Sequence, residues 1–203
     1  MVTAERLLRF TRTERAAHWL VVVAFAAILL SGTQMPHTWD ADQPVVDIHV
    51  GCAALLVAGL VLLLWRADGA ALTRTGIQLA TTEPGDADWL RGVPERLRTG
   101  APPPPVGRFN AGQKLNAALT AAFTVLFLVS GLLLWLGERN TEFRFASTVL
   151  LHDGLMYVSL VLLFGHLYLA VLHPATRHAL RGITVGTVDE EWAAEHHAKW
   201  TPQ

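Results

Sequence analysis

LLHDGLMYVSLVLLFGHLYLAVLHP, residues 150–174, decides how this chain folds. Roughly 20 apolar residues cross a hydrocarbon core as a helix, and this stretch is long enough to do so. Pro174 then ends it, because proline disfavours helix in the residue before it. Yet the run carries His152, His166 and His173. An ionisable side chain inside a membrane span is costly, so it marks a functional site. His152 and His166 are fourteen residues apart, which on a helix is roughly 21 Å of rise and within about 40° of one face. One helix thus offers two imidazoles at two depths.

Outward from this stretch, three more apolar runs stand at about 16–35, 46–65 and 115–136, with about 146–172 as the fourth. Apolar residues make up 52% of the 203, too many for an ordinary soluble domain. The segments between are dense in Arg, Asp, Pro and Gly. The pattern predicts an all-α fold, an integral membrane four-helix bundle, with residues 1–203 forming one domain. The first run follows four arginines and is too long for the apolar core of a signal peptide, so it reads as an uncleaved first span. A single cysteine, Cys52, excludes a disulfide framework and a cysteine-held iron–sulfur centre. No nucleic-acid partner is expected of a chain with net charge −1.

Charge sets the orientation, because Lys and Arg gather on the cytoplasmic side. Arg6, Arg9, Arg12 and Arg15 precede the first span. The loop TQMPHTWDADQPVV that follows it has no Lys or Arg and holds Asp40 and Asp42. Segment 66–114 is cationic again, from Arg66 and Arg74 to Arg108 and Lys114. The tail 173–203 carries Arg177, Arg181 and Lys199, whereas Arg139 and Arg144 in the third loop are offset by Glu138 and Glu142. Both termini and segment 66–114 are therefore expected in the cytoplasm, and the chain in a bacterial cytoplasmic (inner) membrane. Trp19 and Trp65 fall near the inner interface and Trp135 near the outer one, as an aromatic belt requires.

With that topology the histidines sort by depth. His49 opens the second span on the outer side, level with His152; His18 opens the first span on the inner side, level with His166. Imidazole is the usual axial ligand of haem iron, so two bis-histidine sites stacked across the bilayer are expected: His49–His152 outside and His18–His166 inside. Competing readings are interfacial histidines without a ligand, zinc, and a proton relay. Zinc is disfavoured because the two pairs are too far apart to share one tetrahedral ion. A relay normally brings carboxylates into the span interiors, and these have none. His173, seven residues after His166, shares nearly the same face and is an alternative partner for His18. Gly32, Gly51, Gly131 and Gly165 lie near the expected sites, where small residues let a flat ring approach or let helices pack closely. His37, His196 and His197 lie outside the spans and are expected to face solvent.

The motifs RFTRTERAAHWL (9–20), IHVGCAALL (48–56), RFNAGQKLN (108–116), the helix-four segment and EEWAAEHHAKW (190–200) resemble the cytochrome b (gamma) subunit of respiratory formate dehydrogenases over nearly the whole chain. Related cytochromes b of nickel–iron hydrogenases and thiosulfate reductases share the four-helix, dihaem plan. The resemblance implies two b-type haems and no formate chemistry on this chain. It implies an iron–sulfur beta subunit as electron donor and a molybdenum or tungsten alpha subunit behind it, with a possible higher oligomer of the complex. It also implies menaquinone or ubiquinone reduction beside the inner haem, at Asn110, Gln113 and Lys114. Asn110 is equally read as an ordinary N-cap for a helix starting near Ala111. Arg12 and Arg15 suit haem propionates or simply the positive-inside rule. A hydrogenase- or thiosulfate reductase-type complex is the alternative, followed by a haem-free anchor or a histidine-based transporter.

The run APPPPVG (101–107) is a stiff spacer that cannot form helix, and the rest of 66–108 is otherwise quiet. The tail beyond about 175 has helix-compatible stretches and two tryptophans, suited to an interface or a partner.

Overall fold

The computed structural model describes residues 5–35, 42–174 and 176–201. His37 and Asp40, read above in the outer loop, lie outside them. In chain order the elements are β1 (Arg6–Leu8), α1 (Arg12–Gly32), α2 (Gln43–Arg66), α3 (Gly69–Ala80), α4 (Asp86–Arg91), α5 (Val93–Thr99) and α6 (Ala111–Arg139). There follow α7 (Ala146–Leu167), α8 (Leu180–Thr184), β2 (Thr187–Asp189) and α9 (Glu190–His196). The four long apolar helices fall on the four predicted spans. Their ends differ from the hydropathy reading by a few residues because polar side chains, not apolar ones, start them. At α1 the Thr11 Oγ1 accepts from the Glu14 N–H (3.3 Å) while a Glu14 carboxylate oxygen accepts from the Thr11 N–H (2.6 Å). At α6 Asn110 and Gln113 repeat the exchange at 2.9 and 3.0 Å. Each reciprocal pair satisfies two backbone donors that the helix leaves open.

The described residues fall into two compact units. The first holds residues 16–69 and 120–167, the bulk of the four spans. Its burial is inverted relative to a water-soluble core. Leu30, Leu55 and Val161 are 68–71% exposed, whereas Ser31, Ser130 and Thr148 are buried. In lipid the apolar face needs no cover and the polar groups must be satisfied inside, so this is the arrangement a spanning bundle requires. Helices come close at small residues: a Cβ on Gly59 would stand 2.7 Å from Leu20. At the span ends Arg66 lies over the Trp65 ring at 4.4 Å and Arg139 over the Trp135 ring at 3.8 Å, each cation reaching out beside an interfacial indole.

The second unit collects the described residues of 1–15, 70–119 and 168–203, the segments that the charge pattern assigns to one side. β1 and β2 pair antiparallel with Leu7 opposite Val188, and Val188 is only 1% exposed. Arg108 ties three segments together. It meets Glu14 at 2.7 Å, donates to Gln78 at 3.0 Å and Thr75 at 2.7 Å, and donates to the Arg9 carbonyl at 2.6 Å. Gly186, at φ 104°, accepts from the Arg9 and Phe10 N–H groups, and a Cβ there would stand 3.0 Å from the Phe10 carbonyl oxygen.

Segment 66–108, about which the sequence said little beyond the spacer, folds into α3, α4 and α5, with 101–107 non-helical as expected. Two expectations change. His197 does not face solvent. The residue is 4% exposed, and its Nδ1 hydrogen-bonds the Gly107 carbonyl at 2.7 Å, while the Lys199 N–H donates to the Val106 carbonyl. His196 is partly buried and stacks on Trp192 with ring centres 4.8 Å apart. The charged composition of the tail concealed this docking, which is made by contacts distant in sequence.

Candidate functional site: two histidine pairs

All four intramembrane histidines belong to the first unit. His18 sits two turns into α1, His49 in the second turn of α2, and His152 and His166 on α7. His49 and His152 rings lie 6.2 Å apart between centres and His18 and His166 rings 6.4 Å apart. An imidazole on each side of one iron, with metal–nitrogen bonds of about 2 Å, puts the ring centres about 6.3 Å apart. Both pairs therefore have the separation of axial ligands to a shared haem. Among the described residues no cluster of three or more His, Cys, Asp or Glu is placed to hold a metal. A tetrahedral zinc site, which needs three or four protein ligands, has no such set here. His166 is exposed on the bundle and the other three rings are partly buried, leaving surface for a macrocycle to cover.

His173 has different company. Its ring meets Tyr168 at 5.8 Å and its Nδ1 meets the Thr176 hydroxyl at 3.3 Å. A π-type turn over Tyr168–Leu172, closed by the His173 N–H to the Tyr168 carbonyl, interrupts the 3.6-residue period on which face-sharing with His166 depended. The ring that meets His18 is His166.

The His49–His152 pair has partners that the sequence reading missed. Ser31 Oγ lies 3.0 Å from His49 Nδ1, and Ser130 Oγ lies 2.8 Å from His152 Nδ1. Each serine precedes a glycine that faces the same ring. A Cβ on Gly32 would stand 3.3 Å from His49 Cε1, and one on Gly131 would stand 3.4 Å from His152 Cε1. Phe127 closes on His152 edge-on at 5.1 Å. The available signal was the repeat of LLSG at 29–32 as LVSG at 128–131, in the first and third spans. Gly51 and Gly165 have open space where a side chain would be.

The residues read as a quinone pocket lie in the second unit. Asn110 and Gln113 give their carbonyl oxygens to the start of α6, so their NH₂ groups are what remains for a ligand. Lys114 is buried and bridges Asp86 at 3.0 Å and Glu83 at 3.3 Å. Burial opposes ionisation of Asp86, but the Glu83 N–H and the Lys114 ammonium together hold its carboxyl below the usual range. Gly112 lets Trp89 close over this helix start, since a Cβ would stand 3.3 Å from both the indole and Asn110 Oδ1. Arg15 donates to the Thr184 carbonyl at 2.8 Å.

Comparison with known proteins agrees with a haem-carrying bundle. Residues 9–186 match the family model described as prokaryotic cytochrome b561. The chain is 22% identical to the nitrate-inducible formate dehydrogenase cytochrome b556(Fdn) subunit of Escherichia coli K12, covering 98% of this chain and 92% of that protein. It is 24% identical to the formate dehydrogenase cytochrome b556 subunit of Haemophilus influenzae, over 96% and 82%. It is 23% identical to the cytochrome b556(fdo) subunit of E. coli K12, over 98% and 94%. The match spans all four apolar helices and all four paired histidines, and this chain belongs to the prokaryotic cytochrome b561 family, membrane helical bundles that carry b-type haem.

Proposed function

We propose that this chain is the membrane-anchoring dihaem cytochrome b subunit of a formate dehydrogenase complex, carrying electrons from an iron–sulfur subunit to a membrane quinone. The observation that carries the proposal is the assortment of four histidines into two pairs at two levels. The relatives named above, similar over nearly their full length, favour formate dehydrogenase over a hydrogenase or thiosulfate reductase partner.

His49 and His152 would hold one haem at the outer level, and His18 and His166 a second at the inner level. When bound, haem supplies a reversible one-electron ferric/ferrous couple. The protein supplies axial nitrogens, an apolar setting and the spacing between the sites. The fourteen-residue separation of His152 and His166 on α7 sets that spacing at roughly 21 Å along the helix. The iron–sulfur subunit and, behind it, a molybdenum or tungsten subunit that oxidises formate would dock on the outer side of the cytoplasmic membrane. Asn110 and Gln113 would offer amide N–H groups to menaquinone or ubiquinone on the cytoplasmic side, with Lys114 anchored to Asp86 and Glu83 next to them. Both termini, segment 66–114 and tail 173–203 would lie in the cytoplasm, with 1–203 acting as one cytochrome b domain.

The test is a haem count on the purified chain with a reduced-minus-oxidised spectrum. Two b-type haems per chain are expected. One haem, or none, overturns the dihaem reading, and identification of the co-purifying large subunit decides the dehydrogenase assignment.

A further inference from the structure

The Ser31 and Ser130 hydroxyls do more than fill space. Each lies within reach of the carbonyl four residues back on its own helix, 2.8 Å from Ala27 for Ser31 and 2.7 Å from Leu126 for Ser130. A hydroxyl has one proton to donate. A backbone carbonyl only accepts, and when the hydroxyl gives its proton there the serine oxygen turns a lone pair to the imidazole. The Nδ1 of His49, and likewise of His152, must then carry the hydrogen, and each Nε2 is left with the free lone pair a metal requires. Among the described residues neither His18 nor His166 has a side-chain hydrogen bond of this kind. The arrangement is thus specific to the outer pair and repeated on both of its members.

We infer that Ser31 and Ser130 are positioning residues for the outer haem. They fix both axial imidazoles in the Nδ1–H tautomer, aim both Nε2 atoms at one iron, and make that haem harder to reduce than it would be without them. The direction follows from electron supply. An acceptor on Nδ1–H makes the imidazole a stronger donor, which favours the ferric state. Gly32 and Gly131 belong to the same device, since each lets its helix approach until the preceding serine reaches the ring. The inference rests on the dihaem reading above.

The experiment is a spectroscopic redox titration of the full-length protein and its Ser31→Ala, Ser130→Ala, Ser31→Thr and Ser159→Ala variants. Each alanine variant at 31 or 130 should shift the ferric/ferrous equilibrium of one haem roughly 3- to 10-fold toward ferrous, up to about 59 mV upward, and leave the other haem unmoved. Both variants should move the same haem. Ser31→Thr, which keeps the hydroxyl, should restore the wild-type value, and Ser159→Ala, a buried serine of α7, should change neither haem. Loss of the outer haem in Ser31→Ala but not in Ser31→Thr also supports the inference. Two haems with unchanged potentials, equal shifts of both haems, or loss of haem in Ser31→Ala and Ser31→Thr alike would overturn it while leaving the dihaem reading standing. A wild-type chain without a b-type band removes both.

Discussion

Glu14 and Arg108 meet at 2.7 Å across a separation of more than ninety residues, with side chains only 6% and 14% exposed. Glu14 is the third residue of α1 and also closes its capping box, while Arg108 immediately precedes Phe109 and the start of α6. The pair fixes the two helix entrances relative to α3, whose Thr75 hydroxyl contacts both members. Taking two such charges out of water is worthwhile only when both stay fully engaged.

Removing one partner should therefore cost far more than losing a surface ion pair. Glu14→Ala leaves a buried guanidinium uncompensated, a loss of about 3–5 kcal/mol. For a chain of this size that lowers Tm by roughly 10 °C. Arg108→Ala should cost a similar amount, and the double variant little more than either single one, because the partners act as a unit. Thermal melts in detergent check this; additive losses would show that the two side chains act independently.

The two histidine pairs predict a pattern of haem loss. His49→Ala and His152→Ala should each remove the same haem and leave the other, with the total falling from two per chain to one. His18→Ala and His166→Ala should together define the second haem, and His173→Ala should remove neither. Visible spectra and haem content of the purified variants measure this. If His18→Ala and His166→Ala delete different haems, the pairing fails.

The approach of the His49 ring to His152 and of the His18 ring to His166 was expected from the sequence because a helix converts spacing directly into depth and face. His152 and His166 needed nothing more. Ser31 and Ser130 were not legible as partners of His49 and His152, since that contact depends on how neighbouring helices approach, which one helix's period does not contain. His166 was preferred to His173 for its depth, and the wide turn at Tyr168–Leu172 that breaks their shared face is one to which hydropathy is blind. Asn110 was read both as a cap and as a ligand donor; the structure shows the cap, made by its oxygen. The docking of His197 against Gly107 was invisible because it joins residues ninety apart, and a charged tail looks the same in sequence whether docked or free.

That docking predicts a pH response of the tail. Burial, with the neighbouring Arg9 cation, pushes His197 down to about 4, against the Gly107 hydrogen bond. An unfolded histidine titrates near 6.5, so between about pH 4 and 6.5 the undocked tail binds a proton that the docked tail does not. Stability from this residue is complete above about pH 6.5 and is lost as pH falls toward 4, on the order of 3 kcal/mol in all. Amide exchange at Lys199, corrected for its intrinsic pH dependence, should accelerate over that window. In His197→Asn the acceleration should disappear, and a wild-type tail equally protected at pH 7.5 and 4.5 would refute the assignment.

Asn110 separates helix capping from the proposed quinone binding, because the two roles use different atoms. Its Oδ1 caps α6 by accepting from the Gln113 N–H, and its NH₂ group is the part left for a quinone carbonyl. Asn110→Ala removes both and should cost about 1 kcal/mol of stability as well as quinone affinity. Asn110→Asp keeps a capping oxygen at a helix N-terminus, where negative charge is favoured, but loses the donor. Its Tm should therefore stay near the wild-type value while the KM for quinone rises severalfold in the assembled complex. Unchanged quinone kinetics in Asn110→Asp would assign this residue to the helix start alone and move the quinone site elsewhere.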